Sequence, residues 1–433
     1  MKKVWIALVV VAALSVRLVP YFWEYRAIGI DSYYHMRMAE SFQGGYPTQD
    51  YLSYGGREYV YPPGIHMMLA PFPEAAPFVV TLIGVLIIIP VFFTARKLYG
   101  EKAGIMAAIL IAFIPVHIWK TSSNVLVTAI DMTLLCAAFY FLLKKNFLYH
   151  AVISAAIFVF SPAVSIFSLL LYIPHAKKDI KTLLFIVLIA AEILIAYSLY
   201  GSALSIYTSS MPYNISSALY ENIGLQDVLY RLSPLLMPLA IYGIWMSRKG
   251  INKPLLMWLA IVFVLFIASK IETDRGLAYM AVPLVIFSSA ALATAKKNHI
   301  IIAILAVTSI TGVYSLNNLR WGIVTDDEYA ALNWIRDNTQ EDAVVLAQFM
   351  EGHWVSGIAN RKNVADPNLI GAPAAERLEE ILSFYRNESI EVLKHNVSYV
   401  LYTKRAPQVG SRLEYFKEYD EVYKSGNIRV FRI

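Results

Sequence analysis

The sequence predicts a polytopic helical membrane domain followed by a small mixed α/β soluble domain. Three observations carry that expectation. Of 433 residues, 58% are hydrophobic and only 16% charged, with mean hydropathy +0.53, which no ordinary soluble domain shows. Apolar runs long enough to cross a bilayer recur from Val4 to Leu316. From Asn317 onward the pattern changes to short amphipathic helices and strands.

The first span is Val4–Phe22, which Arg17 and the lack of a small-residue cleavage site mark as a retained helix. A polar, Tyr- and Gly-rich stretch over 23–73 follows. Its segment Tyr59–Gly64, YVYPPG, is a fixed turn, because Pro62 and Pro63 lack backbone donors and favour extended structure. Further spans are expected at Ala76–Ala95, Ala103–Trp119, Val125–Leu143, Phe147–Phe160, Val164–Ile173, Leu183–Tyr200, Leu229–Met246, Pro254–Ser269, Leu277–Ala295 and Ile300–Leu316. That makes roughly eleven helices by hydropathy. Ser161-Pro162 splits one region into two short pieces, as in the broken helices that line cavities.

Basic residues set the orientation. Lys2, Lys3, Arg96, Lys97, Lys102, Lys144, Lys145, Lys177, Lys178, Lys181, Arg248, Lys249, Lys253, Lys296 and Lys297 fall at every second junction. The N-terminus is therefore expected in the cytoplasm. The loops 23–73 and 201–230 and the tail are expected outside. The domains read as 1–316, a membrane unit with those outer loops, and 317–433, an extracytoplasmic soluble unit. In the tail, Asp326–Asn338, Ala374–Phe384 and Ile390–His395 are expected as helices, and Ala343–Ala347, Tyr399–Tyr402 and Val430–Ile433 as strands. Cys136 is the only cysteine, so no disulfide within the chain is possible. There is no phosphate loop, zinc spacing or nucleophile elbow, and nucleic acid is not an expected partner.

The stretch that carries chemistry is Gly29–Glu40, GIDSYYHMRMAE, at the foot of the first span. Ionisable residues at a membrane boundary are functional candidates by default. Asp31 is the central acid, and Tyr33, His35 and Arg37 accompany it. Glu221, in the second outer loop, is another hard oxygen ligand. With Asp31 it could hold a divalent cation such as Mg²⁺ or Mn²⁺. Arg275, in the junction KIETDR, suits a phosphate that it can grip bidentately.

These stretches resemble the catalytic subunit of oligosaccharyltransferase, the STT3/AglB/PglB family. GIDSYYHMR is similar to the family's first acidic motif, and YVYPPG to the turn that closes its loop. SSALYENIG places Glu221 where the family has an outer-loop glutamate, and DRGLAYMAVP resembles its arginine-bearing helix. In the tail, EYAALNWIRDNTQEDAVVLA leads into EGHWVSGIANRKNVAD, as the family's tail leads into its WWDYG motif and the stretch after it. The resemblance implies a GT-C membrane fold in the bilayer. It implies inverting, metal-dependent transfer of a glycan from a polyprenyl phosphate or diphosphate carrier to an acceptor, an asparagine amide of a protein. Carried over, Asp31 would bind Mn²⁺ or Mg²⁺, Glu221 would hold the acceptor amide, and Arg275 would contact the lipid phosphate. Gly352, His353 and Trp354 would sit in the substrate-reading block.

Two departures stand out. The family's second acidic motif should fall after the third helix, where this chain reads KTSSNVLVTAID. Asp131 is its one carboxylate, about two turns too deep, and His117 and Asn124 are the other candidates. The WWDYG block is replaced by QFMEG at Gln348–Gly352, so the hydroxyl-reading groups are lost.

Overall fold

A computed structural model of the chain describes residues 2–24, 26–210, 224–248, 250, 252–268, 273–370 and 372–433. Contacts divide it into two units. The first is Met1–Arg26, Pro77–Ala196 and Ile223–Trp321; the second is Ala27–Ala76, Tyr197–Asn222 and Gly322–Ile433. The boundary drawn from sequence at 316/317 falls close to the last division. The first loop, assigned from sequence to the membrane unit, groups instead with the tail, because its residues pack on tail elements.

The first unit is all helix among the described residues, and each sequence-predicted span coincides with a helix or a bent pair. Five helices are long and apolar enough to cross a membrane, or seven if each of two bent pairs is one span. Shorter apolar helices at Val127–Leu143, Phe147–Phe158, Pro162–His175 and Lys253–Ile267 fill the other expected positions. Prolines cause the breaks. Glu101–Phe113 and Pro115–Thr121 meet at 58°, with Ile114 extended before Pro115. Leu225–Leu232 and Leu236–Ser247 meet at 72°, with Ser233 at φ 67° before Pro234. Ser161 is likewise extended before Pro162, at the break expected from sequence.

Thr273–Thr294 is the buried central helix of this unit. A Cβ on Gly243 would lie 2.0 Å from the Phe287 carbonyl oxygen, and one on Gly312 would lie 1.9 Å from that of Phe113. Only glycine permits these backbone approaches, the device that packs helices where lipid removes the hydrophobic drive between them. Arg17 is fully buried, yet Thr121 Oγ1 (2.6 Å), the Ala13 carbonyl (3.1 Å) and His117 Nδ1 (2.9 Å) satisfy it. That clamp ties the first helix to Pro115–Thr121.

The second unit holds a two-stranded ribbon, β1 (Gln49–Asp50) with β2 (Arg57–Glu58), and a mixed five-stranded sheet. The sheet comprises β3 (Val344–Leu346), β4 (Lys362–Asn363), β5 (Val397–Tyr402), β6 (Asp420–Ser425) and β7 (Ile428–Arg432), in the order β4-β3-β5-β7-β6. β3 runs parallel to β4 and β5, while β7 is antiparallel to β5 and β6. The helix Asp326–Asn338 has the bounds its periodicity predicts. Thr325 and Glu328 form a capping box at its start, and Arg361 donates to the Arg336 and Thr339 carbonyls at its end. Glu391–His395 is a 3₁₀ turn rather than the expected α-helix; it stops at Asn396, which adopts the left-handed conformation.

The alternation of basic junctions predicts opposite exposure of Lys178 and Lys417, both exposed side chains. With Cys136 buried and silent, a cysteine at 417 should react with an impermeant maleimide on intact cells. One at 178 should react only after permeabilisation. Labelling of both from one side refutes the orientation.

Candidate active site

In the second unit the Asp31 helix, Ile30–Gln43, packs against the helix Gly352–Gly357. The contact needs glycine: a Cβ on Gly357 would lie 2.8 Å from Tyr33 Cβ. Asp31 sits in the first turn, where a carboxylate complements the helix dipole, and its side chain stays half exposed. Across from it lies His353, 2% exposed, with Nε2 3.8 Å from Asp31 Oδ1. The His353 ring stacks on Tyr34 at 5.1 Å and 28°.

His353 Nδ1 faces a second acid, Asp366 Oδ2, at 3.6 Å. Asp366 is fully buried and heavily anchored. Its Oδ2 accepts from Ser53 Oγ (2.5 Å) and Asn363 Nδ2 (2.9 Å), and its Oδ1 accepts from the Asn368 amide (3.0 Å). Arg57 lies 3.8 Å away. Burial alone would push this carboxyl up. His353, Arg57 and Ser53 outweigh it and hold the group well below the usual carboxylate range. Asn363 Nδ2 also donates to the Gly352 carbonyl (2.9 Å), and a Cβ on Gly352 would meet the Ala365 carbonyl oxygen at 2.0 Å. Gly352 is therefore a packing requirement. It brings the residue before His353 against the strand end that carries Asp366.

The other residues singled out from this region build its walls. Tyr33 is buried and its hydroxyl donates to the Ala27 carbonyl at 3.1 Å. Arg37 grips Asp50 bidentately at 2.7 and 2.8 Å. His35 Nδ1 is hydrogen-bonded to His66 Nε2 (2.8 Å), and His66 Nδ1 to the Tyr59 hydroxyl (2.6 Å). Burial, then the neighbouring His35 and Arg37, hold His66 well below the usual imidazole range, so it stays neutral. Trp354 is buried under the Arg405 guanidinium at 4.3 Å. Arg405 reaches Glu328 at 2.5 Å and Glu351 at 3.5 Å, and Thr403 donates to Glu351. QFMEG thus places a buried acid, Glu351, one residue before the Gly352 helix.

In the first unit, Arg275 and Asp131 come together beside Tyr279. Asp131, read from sequence as a metal candidate, has a cation and a phenol as neighbours. Asp274, next to Arg275, pairs with Arg231 and lies 3.9 Å from Lys120. Arg231 also covers the Trp119 ring at 4.5 Å. Lys120 and Arg231 end the first and second bent pairs' short pieces, Pro115–Thr121 and Leu225–Leu232, so the proline breaks position both cations. Lys120 and Arg231 thus converge on Asp274, and Arg275 lies beside Asp131. His117 faces Arg17, and Asn124 donates to the Trp119 carbonyl at 3.1 Å.

Glu221 lies outside the described residues. Sequence reasoning missed Asp366, Lys120 and Arg231. Asp366 closes NVAD, in a stretch already set apart, but nothing local marks it as a buried anchor. Lys120 and Arg231 each lie within a few residues of a proline, Pro115 and Pro234, which is the one local signal they carry.

No protein-family profile matches the chain, and no curated protein sequence is similar to it. Solved structures are. The oligosaccharyltransferase AglB of Archaeoglobus fulgidus, in complex with an inhibitory peptide and a dolichol-phosphate, superposes with a TM-score of 0.61 at 16% identity, over 92% of this chain and 69% of that one. The same organism's oligosaccharyltransferase in complex with Zn and sulfate gives 0.55 at 16% identity, over 95% and 71%. ArnT of Cupriavidus metallidurans bound to undecaprenyl phosphate gives 0.58 at 12% identity, over 100% and 98%. The chain has the GT-C membrane fold that these structures share, with the small C-terminal sheet expected from sequence.

Burial pushes the Glu351 carboxyl up to about 7, against the opposing pull of Arg405 and Thr403. A raised folded-state value favours the protonated form. Its contribution is full below about 4.5, the unfolded value, and is lost as pH rises through 7. Glu351→Gln keeps the acceptor for Thr403 and removes the charge. It should therefore raise the melting temperature of the detergent-solubilised protein at pH 8, by an increment on the order of 3 kcal/mol at most. The gain should vanish at pH 4.5. A gain independent of pH refutes the assignment.

Proposed function

We propose that this chain is a divergent member of the oligosaccharyltransferase family, a glycosyltransferase that moves a glycan from a polyprenyl phosphate or diphosphate carrier to an acceptor, the asparagine amide of a protein. One observation carries the reading: in a GT-C fold, Lys120 and Arg231, each at the end of the short piece of a bent helix pair, converge on Asp274, the residue before Arg275. Discontinuous helices and guanidinium forks are the means by which a membrane protein receives a phosphate. The inverting course and metal dependence rest on the motif resemblance.

In this reading the cation cluster of the first unit takes the lipid phosphate and stabilises the charge that develops as the glycosidic C–O bond breaks. The acceptor nitrogen attacks the anomeric carbon from the opposite face, and the phosphate leaves with the lipid. Asp31 and Glu221 hold the acceptor, since an amide nitrogen is a poor nucleophile and must be positioned. Asp31 also keeps an accessible hard oxygen on a rigid helix, which fits a divalent cation. Among the described residues no group of three or more His, Cys, Asp or Glu side chains is placed to hold one. The protein would thus offer few ligands, and phosphate or acceptor oxygens would complete the set. Mn²⁺ or Mg²⁺ bound there would supply Lewis-acid neutralisation of the leaving phosphate.

The end-to-end match with ArnT favours a second reading, a lipid-monophosphate sugar donor and an acceptor without a sequon. Both readings share the cation cluster and Asp31. A scaffold that binds lipid-linked glycan without transferring it would share the cluster alone.

Purified protein with labelled polyprenyl-linked glycan, Mn²⁺ and a peptide panel tests these readings. Asp31→Asn should lower kcat by about 10²–10³-fold with folding intact. Arg275→Gln and Arg231→Gln should weaken lipid-donor binding by about 10–100-fold, the worth of one charge-assisted phosphate contact. Full activity of Asp31→Asn refutes catalysis at this residue.

Acceptor choice follows from the tail. Phe349 and Glu351 are buried, and Glu351 is engaged by Thr403 and Arg405. The QFMEG block lacks the family's reading groups, and its one acid is held by Thr403 and Arg405. A site that does read one discriminates by roughly 10⁴-fold. Here Asn-x-Thr and Asn-x-Ala peptides should differ by less than about 10-fold, in competition assays with equal peptide concentrations.

A further inference from the structure

We infer that His353 is a ligand of the divalent cation held by Asp31, with Asp366 as the carboxylate that orients it. The inference rests on the proposed metal-dependent transfer and adds the protein ligand that the altered second acidic motif leaves unfilled.

The geometry points to a ligand rather than a structural ion pair. His353 Nε2 and Asp31 Oδ1 are 3.8 Å apart. That exceeds hydrogen-bond reach. It lies between the spacing of two atoms bound side by side on one cation, about 3.0 Å, and that of two bound opposite, about 4.2 Å, for bonds of about 2.1 Å. One cation bound to both atoms at such bond lengths would span this separation.

The other ring nitrogen completes the pattern. His353 Nδ1 has no hydrogen-bond partner among the described residues and faces Asp366 Oδ2 at 3.6 Å. A metal-bound histidine almost always directs its second N–H at a carboxylate, which fixes the tautomer and aims the lone pair. Asp366 cannot swing away, because Ser53, Asn363 and the Asn368 amide anchor it. The ring cannot rotate freely either, since it stacks on Tyr34 and its backbone is tied by Asn363 to Gly352 O. The set is pre-organised: one hard oxygen on the Asp31 helix, one imidazole nitrogen, and a buried carboxylate behind it.

This donor set selects its metal. A carboxylate alone suits Mg²⁺ and Mn²⁺, whereas an imidazole nitrogen shifts preference toward borderline cations such as Mn²⁺, Co²⁺ and Zn²⁺. The site should therefore bind Mn²⁺ or Co²⁺ in the presence of excess Mg²⁺.

The test uses the full-length protein in detergent, titrated with Mn²⁺ alone and read by pulsed electron paramagnetic resonance. The wild type should show ¹⁴N coupling to bound Mn²⁺, retained in a hundredfold excess of Mg²⁺. His353→Gln should lose that coupling and bind at least about 10-fold more weakly, with an unchanged melting temperature. Asp366→Asn should keep the coupling and bind about 10–100-fold more weakly. Wild-type Mn²⁺ without ¹⁴N coupling, coupling that survives in His353→Gln, or full displacement by Mg²⁺ overturns the inference. The Mg²⁺ competition needs no variant, so a misfolded mutant does not shield the idea. Glycan transfer without nitrogen coupling defeats the ligand assignment and leaves the proposed function standing. Nitrogen coupling without transfer does the reverse.

Discussion

The second unit depends on the burial of Asp366. A carboxylate taken out of water costs several kcal/mol unless hydrogen bonds and charges replace its hydration. Three donors and Arg57 do so here, and they come from distant parts of the chain: Ser53 and Arg57 in the first loop, Asn363 and Asn368 in the tail. The requirement to satisfy one acid thus draws residues some 310 positions apart into one cluster. Tyr54 shows the strain this accepts. It sits at φ 55° so that its amide donates to Asn363 Oδ1 and its hydroxyl to the Asp366 carbonyl. Once that turn is fixed, the Asp31 helix, the Gly352 helix and His353 have little freedom left.

Legibility in the sequence follows the range of the interactions. The helix Asp326–Asn338 was readable to the residue because its period, its capping box and the polar residue after its end are all local. The membrane helices were readable because a bilayer imposes length and apolarity on each span separately. The break at Ser161-Pro162 was readable, whereas those within the spans expected at Ala103–Trp119 and Leu229–Met246 were not, nor was the sharing of Asp274 by Lys120 and Arg231. Pairings across a hundred residues leave no local trace. Motifs single out Asp31 and His353 in the second unit and Arg275 in the first. The functional weight of Asp366 was not legible, because nothing in NVAD distinguishes a buried anchor from a surface acid. QFMEG shows the same limit from the other side. Its loss of the reading groups was visible, whereas the burial of Glu351 under Arg405 required the fold.

The cations of this protein divide by what surrounds them. Arg37 is matched by Asp50 and Arg405 by Glu328 and Glu351, so these serve the scaffold of the second unit. Arg361 closes a helix end. Among the described residues Arg17 has no acid in contact, yet it is fully buried and its donors are used by Thr121, Ala13 and His117. None of these is poised to receive an anion. Lys120 and Arg231 differ. They retain 12% and 16% exposure and share one acid, while Arg275 lies beside Asp131.

That difference has an energetic reason. A buried cation must be neutralised or hydrogen-bonded in the folded protein itself, whatever the ligand state. A partly exposed cation can remain hydrated until an anion arrives, and the anion then replaces that water. The acids Asp274 and Asp131 make the cluster tolerable without ligand, and they also lower its affinity for one. On the proposed function, such a cluster would bind a lipid phosphate for transfer and then release it.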